Sequence, residues 1–154
     1  DFSVRAARVQ KLLHADTTAF LLVTSAQRER IDEAIWFRRT LDESRLPFAG
    51  VLINRVHHDL LGDREPRELS AALARTLTPS LAGRVAENFR DYHVLATRDD
   101  HNLSRLAKQL DAHRLLLVPQ LDDDVHDIEG LARIHQYLFA SQAERERLIE
   151  DLVA

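Results

Sequence analysis

Gly50 to Val56 reads GVLINRV: an apolar run, Val51-Leu52-Ile53, stopped by an amide and a guanidinium, Asn54-Arg55. A continuous apolar run, rather than an alternating one, suits a strand buried on both faces of a parallel sheet. Two other stretches have the same character. TTAFLLVTS (Thr17 to Ser25) is β-rich and apolar, and RLLLVPQL (Arg114 to Leu121) is apolar until Pro119 stops it. Thr18 to Thr24, Ala49 to Asn54 and Leu115 to Val118 are therefore expected as three parallel strands, with Leu22, Leu52 and Leu116 buried.

The segments between them carry helical spacing. Before the first strand, Ser3 to Ala15 places Phe2, Ala6, Val9 and Leu13 on one face. After it, Ile31, Ala34, Ile35 and Leu41 form an amphipathic stripe, and Pro47 closes that connection. HHDLLGDREP (His57 to Pro66, including Gly62) reads as a loop, and Pro66 suits the first turn of a helix over Arg67 to Leu77. Pro79 begins another helix, with Leu81, Val85, Phe89, Tyr92 and Leu95 on its apolar face. TRDDHN (Thr97 to Asn102) is expected to break it, with Asp99 or Asp100 capping a further helix that carries Leu103, Leu106 and Leu110. The last strand leads through DDDVHD (Asp122 to Asp127) into a helix with Ile128, Leu131, Ile134 and Leu138. Ser141, with Glu144 three residues on, has the form of a capping box for a final helix.

Strands alternating with helices imply βαβ units and right-handed crossovers. The expected class is α/β: a mostly parallel three-stranded sheet with flanking helices, interrupted by a helical insertion at about 66–112. Three strands are few, which fits a piece of a larger α/β domain.

The 154 residues amount to about one domain, and 45% hydrophobic with 30% charged is an ordinary composition for one core. A net charge of −4 lacks the basic excess of a nucleic-acid binder. The absence of cysteine excludes a disulfide framework and thiolate chemistry, and a reducing cytoplasm fits that. The apolar runs fall short of the roughly 20 residues of a membrane span. There is no methionine, even at position 1, so the chain is expected to be a fragment or processed piece.

In open parallel sheets, ligands bind outside the carboxyl ends of the strands. Those ends are Thr24-Ser25, Asn54-Arg55 and Pro119-Gln120. An asparagine side chain offers an acceptor and a two-hydrogen donor, which complement adenine N6 and N7. A proline beside it supplies an apolar wall. Asn also ends strands simply to make a turn, and the residues alone leave both readings open. Triphosphate chemistry has no foundation here. The glycines Gly50, Gly62, Gly83 and Gly130 are scattered, the two lysines Lys11 and Lys108 are isolated, and neither G-x-x-x-x-G-K-[ST] nor G-x-G-x-x-G occurs.

The long stretch FLLVTSAQRERIDEAIWFRRTLDESRLPFAGVLINRV, followed by LLLVPQLDDDVHDIEGLARIHQYLF, resembles the C-terminal half of the anion-transporting ATPases. These are the arsenical pump-driving (ArsA-like) proteins, a branch of the deviant-Walker P-loop ATPases that includes ATPases targeting tail-anchored proteins. The resemblance runs from Ala19 to Phe139 and rests on order: a strand ending Asn-Arg-Val, a helical insertion, then a strand ending Val-Pro, an acidic loop and a Gly-Leu helix. It implies a P-loop NTPase-like three-layer fold with ATP and magnesium at the carboxyl edge of the sheet. Asn54 would contact adenine, Pro119 would line the base pocket, and the adjoining Arg55 and Gln120 complete the candidate set. It further implies an N-terminal P-loop half as partner, a homo-oligomeric or tandem ATPase arrangement, and a membrane-protein cargo or permease met through the insertion. The family's phosphate loop and switches have no counterpart in this chain, so no catalytic residue carries over. The alternative is a non-catalytic α/β interaction module.

Other constellations have plainer readings. His57, His58 and Asp59, and the Asp122 to Asp127 loop, contain metal-ligand chemistry, but adjacent histidines do not easily face one ion and solvated loops explain them more simply. Those aspartates also suit the dipole of the helix that follows. Trp36-Phe37 is expected to put one ring in the core and one at an edge. Arg55 has either a phosphate or a loop aspartate as partner. Ser, His and Asp are present without a G-x-S-x-G elbow.

Overall fold

The computed structural model describes residues 2–60, 65–110, 115–121, 124–141, 143–145 and 147–148. Gly62, the end of the insertion at Ala112, the acidic pair Asp122-Asp123 and the far end of the tail lie outside them. The order is α1 (Phe2–Leu13), β1 (Phe20–Ser25), α2 (Arg28–Glu43), β2 (Phe48–Val56), α3 (Pro66–Leu73), α4 (Pro79–Ala107), β3 (Leu115–Pro119) and α5 (Ile128–Phe139).

The three strands form one sheet in the order β1-β2-β3, both pairs parallel, as the apolar runs predict. The register puts Leu22 beside Val51 and Leu115 beyond it, and Thr24 beside Ile53 and Leu117 beyond it. That face packs against α2 and α4. Val51, Ile53, Val56, Ala26, Ile31 and Leu106 form the core, flanked by Leu22, Ile35, Phe48, Leu103, Leu110, Leu115 and Leu117. The second face carries the row Val23, Leu52 and Leu116. Helix α5 lies against β3. Val23, on the edge strand, is 68% exposed.

The expectation of full burial for Leu22, Leu52 and Leu116 is therefore corrected: all three are half-buried. Period 2 assigns Leu52 and Leu116 to the less covered face, while Leu22 sits on an edge strand at the rim of the core. The buried strand residues are Gly50, Val51, Ile53, Val56, Val118 and Pro119.

Other elements differ from expectation for identifiable reasons. TRDDHN does not break the chain: α4 runs 29 residues without interruption. Asp99 is not a cap but a buried mid-helix residue, 1% exposed. Trp36 and Phe37 are both exposed, since the buried stripe of α2 is Ile31, Ala34 and Leu41. On α5 the buried positions are Gly130 and Tyr137, with Ile134 and Leu138 half-buried, whereas Ile128 and Leu131 face outward. The apolar stripe of α1 is likewise exposed along its length.

Local signals were met where they are strong. Thr78 and Glu65 precede Pro79 and Pro66 at the starts of α4 and α3. Asp127 caps α5, its Oδ1 accepting from the Gly130 N–H at 2.7 Å. Ser141 donates its backbone N–H to Glu144 Oε2 at 2.8 Å, and its Oγ accepts from the Glu144 N–H at 3.4 Å, the reciprocal pattern of a capping box.

Candidate functional site

The carboxyl ends of β2 and β3 meet at a cleft of about 220 Å³ lined by Asn54, Arg55, Val118, Pro119, Gln120 and Asp124, with Val125 and Ile134 at its base. All four sequence-expected residues, Asn54, Arg55, Pro119 and Gln120, come together there. The parallel order places them on one edge, and a local irregularity of β2 falls at Asn54 and Arg55.

Between Ile53 and Val56, β2 advances three residues while β3 advances two, from Leu117 to Pro119. One extra residue has been inserted, which is a β-bulge. It returns Val56 to the core face already occupied by Val51 and Ile53. Arg55 takes up the inserted length in the left-handed region, φ 57°, a conformation that costs a side-chain-bearing residue roughly 1–2 kcal/mol. Asn54 Oδ1 accepts from the Arg55 backbone N–H at 2.9 Å, and the Gln120 N–H donates to the Val56 carbonyl at 2.9 Å. The turn-making role of asparagine and its position in a cleft thus coexist. Its Nδ2 carries no hydrogen bond among the described residues and remains a donor.

Arg55 reaches Asp124 at 3.9 Å, with both side chains mostly exposed. Such a pair contributes at most about 1 kcal/mol. Gln120 Nε2 donates to the Leu121 carbonyl at 3.0 Å. Chemically the cleft offers the Asn54 amide donor, the Arg55 guanidinium and an apolar lining of Val118, Pro119, Val125 and Ile134.

A second hollow, on the other side of Asn54 and Arg55, is open to solvent and bounded by Thr24, Ser25, Arg30 and Phe37. A third lies at the amino end of the sheet. There Arg38 covers the Phe48 ring at 4.4 Å and pairs with Asp42, so its charge is already matched.

Behind the edge lies a polar cluster that the sequence reading missed. Asp99 Oδ2 accepts from the His57 backbone N–H at 3.1 Å and contacts His57 Nδ1 at 2.7 Å. Arg98 donates to Asp99 Oδ1 at 2.8 and 3.2 Å. Tyr92 meets the His57 ring edge-on at 5.2 Å. Burial pushes the Asp99 carboxyl up, but the hydrogen bonds from His57 and Arg98 outweigh it and hold it below the ordinary carboxylate range. Burial pushes the neighbouring His58 imidazole below its ordinary value, with Asp99 opposing and His57 adding to the shift. Asp59 pairs with His93 at 2.8 Å. His57 and Asp59 thus face different residues of α4 rather than a shared centre. Among the described residues no three His, Cys, Asp or Glu side chains converge as metal ligands. The signal available in the sequence was Asp99 and Asn102 standing in line with Ala96 and Leu106, polar residues on the apolar face of a helix.

No helix among the described residues is long and apolar enough to cross a membrane. No protein-family model matches the chain, and no curated protein is significantly similar to it.

Proposed function

We propose that this chain is the C-terminal part of an ArsA-type ATPase and supplies the adenine side of its nucleotide site. The observation that carries the reading is the cleft at the carboxyl edge of a parallel sheet in which Asn54 and Pro119 both line the wall. A planar base entering it would receive a hydrogen bond from Asn54 Nδ2 and lie against Pro119. At about 220 Å³ the cleft is below the 300–1,000 Å³ usual for whole ligands and matches a fragment of one. The residues fit a base; they do not fit a triphosphate or magnesium, for which this chain has no glycine-lysine loop. Phosphate binding, magnesium and water activation belong to a separate P-loop half. The exposed Val23 edge and the apolar stripe of α1 are surfaces that such a half, or another ATPase copy, would cover. The α3–α4 insertion is the segment for a cargo or permease contact.

The test is an adenosine titration followed by NMR. The Asn54 side-chain amide and the Arg55, Val118 and Gln120 backbone amides should shift together at millimolar ligand, and Asn54→Ala should abolish the response. Shifts confined to the amino end of the sheet, or none at saturating adenosine, would overturn the reading. The exposed second sheet face favours the interaction-module reading if the edge proves silent.

A further inference from the structure

Two polar side chains are buried among the described residues, Asp99 and Asn102, and both belong to α4. They lie one helical turn apart, and each engages the carboxyl end of a different strand. Asn102 Nδ2 donates to the carbonyl of Ala26, just past β1, at 2.9 Å. Asp99 takes the His57 backbone N–H and ring nitrogen just past β2. An apolar residue at position 99 would avoid the desolvation penalty that a buried carboxylate carries. A geometric role accounts for retaining the polar groups.

The geometry in question is the β2 bulge. A non-glycine residue in the left-handed region persists only where its surroundings over-determine it. Arg55 is held upstream by Asn54 Oδ1, across the sheet by the Gln120–Val56 hydrogen bond, and downstream by the His57–Asp99 contact two residues on. Of these, only the last comes from outside the sheet. It ties the bulge to a helix that also packs with α3.

We propose that Asp99 is a positioning residue: through His57 it holds the Asn54–Arg55 bulge in shape and so couples helix α4 to the carboxyl-edge cleft. A shift of α4 along its axis would release the His57 N–H, relax the bulge and turn Asn54 out of the cleft. A ligand gripping Asn54 would conversely favour the docked position of α4. The second half of this coupling rests on the adenine reading; the first half does not.

Backbone hydrogen exchange on the full 154-residue chain tests it, comparing wild type with Asp99→Leu and Asp99→Asn. Asp99→Leu should speed exchange at Arg55, His57 and Gln120 by roughly tenfold or more while the sheet centre, Leu22, Val51 and Leu52, changes by less than about twofold. Asp99→Asn keeps an acceptor for the His57 N–H and should restore most of the protection at Arg55 and Gln120. If Asp99→Leu does not fold, Asp99→Asn alone carries the test, with a smaller rise confined to the same amides. An equal rise across the sheet centre and the edge, or no rise at the edge, overturns the positioning role. Adenosine titration of the same variants separates the two readings. A wild-type chain that ignores adenosine but shows the local exchange pattern counts against the nucleotide site alone. A wild type that responds and an Asp99→Leu chain that responds equally well counts against the coupling.

Discussion

Asn102 and Ala26 are 76 positions apart in the chain and joined by a 2.9 Å hydrogen bond, side-chain amide to backbone carbonyl. Ala26 is 2% exposed and sits where β1 hands over to α2. Its carbonyl lies at the end of the sheet, where no further strand residue can pair with it.

Replacing Asn102 by Leu removes the donor and keeps a side chain of similar size. The Ala26 carbonyl is then buried without a partner, which costs about 1–3 kcal/mol. Urea unfolding should show a lower midpoint at unchanged m-value. A loss below about 0.5 kcal/mol would show that water reaches the carbonyl and that Asn102 is a surface contact.

The pair Asp99 and His58 sets an acid limit on stability. Both titrate lower in the folded chain than in the unfolded one. The unfolded state therefore binds more protons, and stability rises with pH through each window. The His58 contribution is complete above its unfolded value near 6.5 and is lost as pH falls below it; the Asp99 contribution is complete above about 4 and is lost below that. The thermal midpoint should fall between pH 7.5 and 5.5, then again below pH 4. His58 Nε2 is buried without a hydrogen-bond partner among the described residues, so His58→Gln should flatten the first fall and leave the second. An unchanged slope between pH 7.5 and 5.5 in that variant would assign the effect elsewhere.

Helix α2 ends in a Schellman arrangement without its usual glycine. Arg45 donates to the Asp42 carbonyl at 2.9 Å, Leu46 to the Leu41 carbonyl at 2.9 Å, and Arg45 sits at φ 55°. Arg45→Gly relieves a left-handed penalty of roughly 1–2 kcal/mol and adds unfolded-state entropy worth 0.5–1 kcal/mol. A net gain of about 0.5–1 kcal/mol is expected in denaturant unfolding. Destabilisation would mean that the Arg45 side chain makes contacts that outweigh its backbone strain.

The strand positions and their parallel direction were legible because apolar runs of five or six residues bounded by polar ends have few other uses. The carboxyl-edge set was legible for the same reason: once the strands are parallel, Asn54 and Pro119 must share an edge. What remained hidden depended on which face each helix buries. Asp99 read as a cap because Asp-Asp is a common helix start, and nothing local reveals a histidine 42 residues away that needs its carboxylate. Trp36-Phe37 read as one ring in the core and one at an edge, yet the 3.6-residue period of Ile31, Ala34 and Leu41 points both rings outward. The bulge at Asn54–Arg55 has no glycine to announce it. It is visible only as the three-residue step from Ile53 to Val56, where an uninterrupted strand would have placed Val56 on the opposite face.

The phosphates of ATP should add little to binding by this chain. An adenine contact through Asn54 nets about 1 kcal/mol per hydrogen bond, with the apolar wall of Pro119 beside it. Association costs at least about 4 kcal/mol in lost freedom. A dissociation constant of about 1 mM is a net of about −4 kcal/mol and would need about 8 kcal/mol of gross contacts to offset that cost, so binding tighter than millimolar is not expected. Arg55 is the cation at the rim, 67% exposed and already facing Asp124. An exposed ion pair with a phosphate contributes at most about 1 kcal/mol, a factor of about five. Magnesium-ATP and adenosine titrated into the same sample should therefore bind within about fivefold of each other. Arg55→Gln should bring the two closer still, and no phosphate release above buffer should appear. Micromolar binding of ATP beside millimolar binding of adenosine would mean that this chain holds a phosphate site of its own, formed without a glycine-rich loop, and the assignment of phosphate chemistry to a separate half would fall.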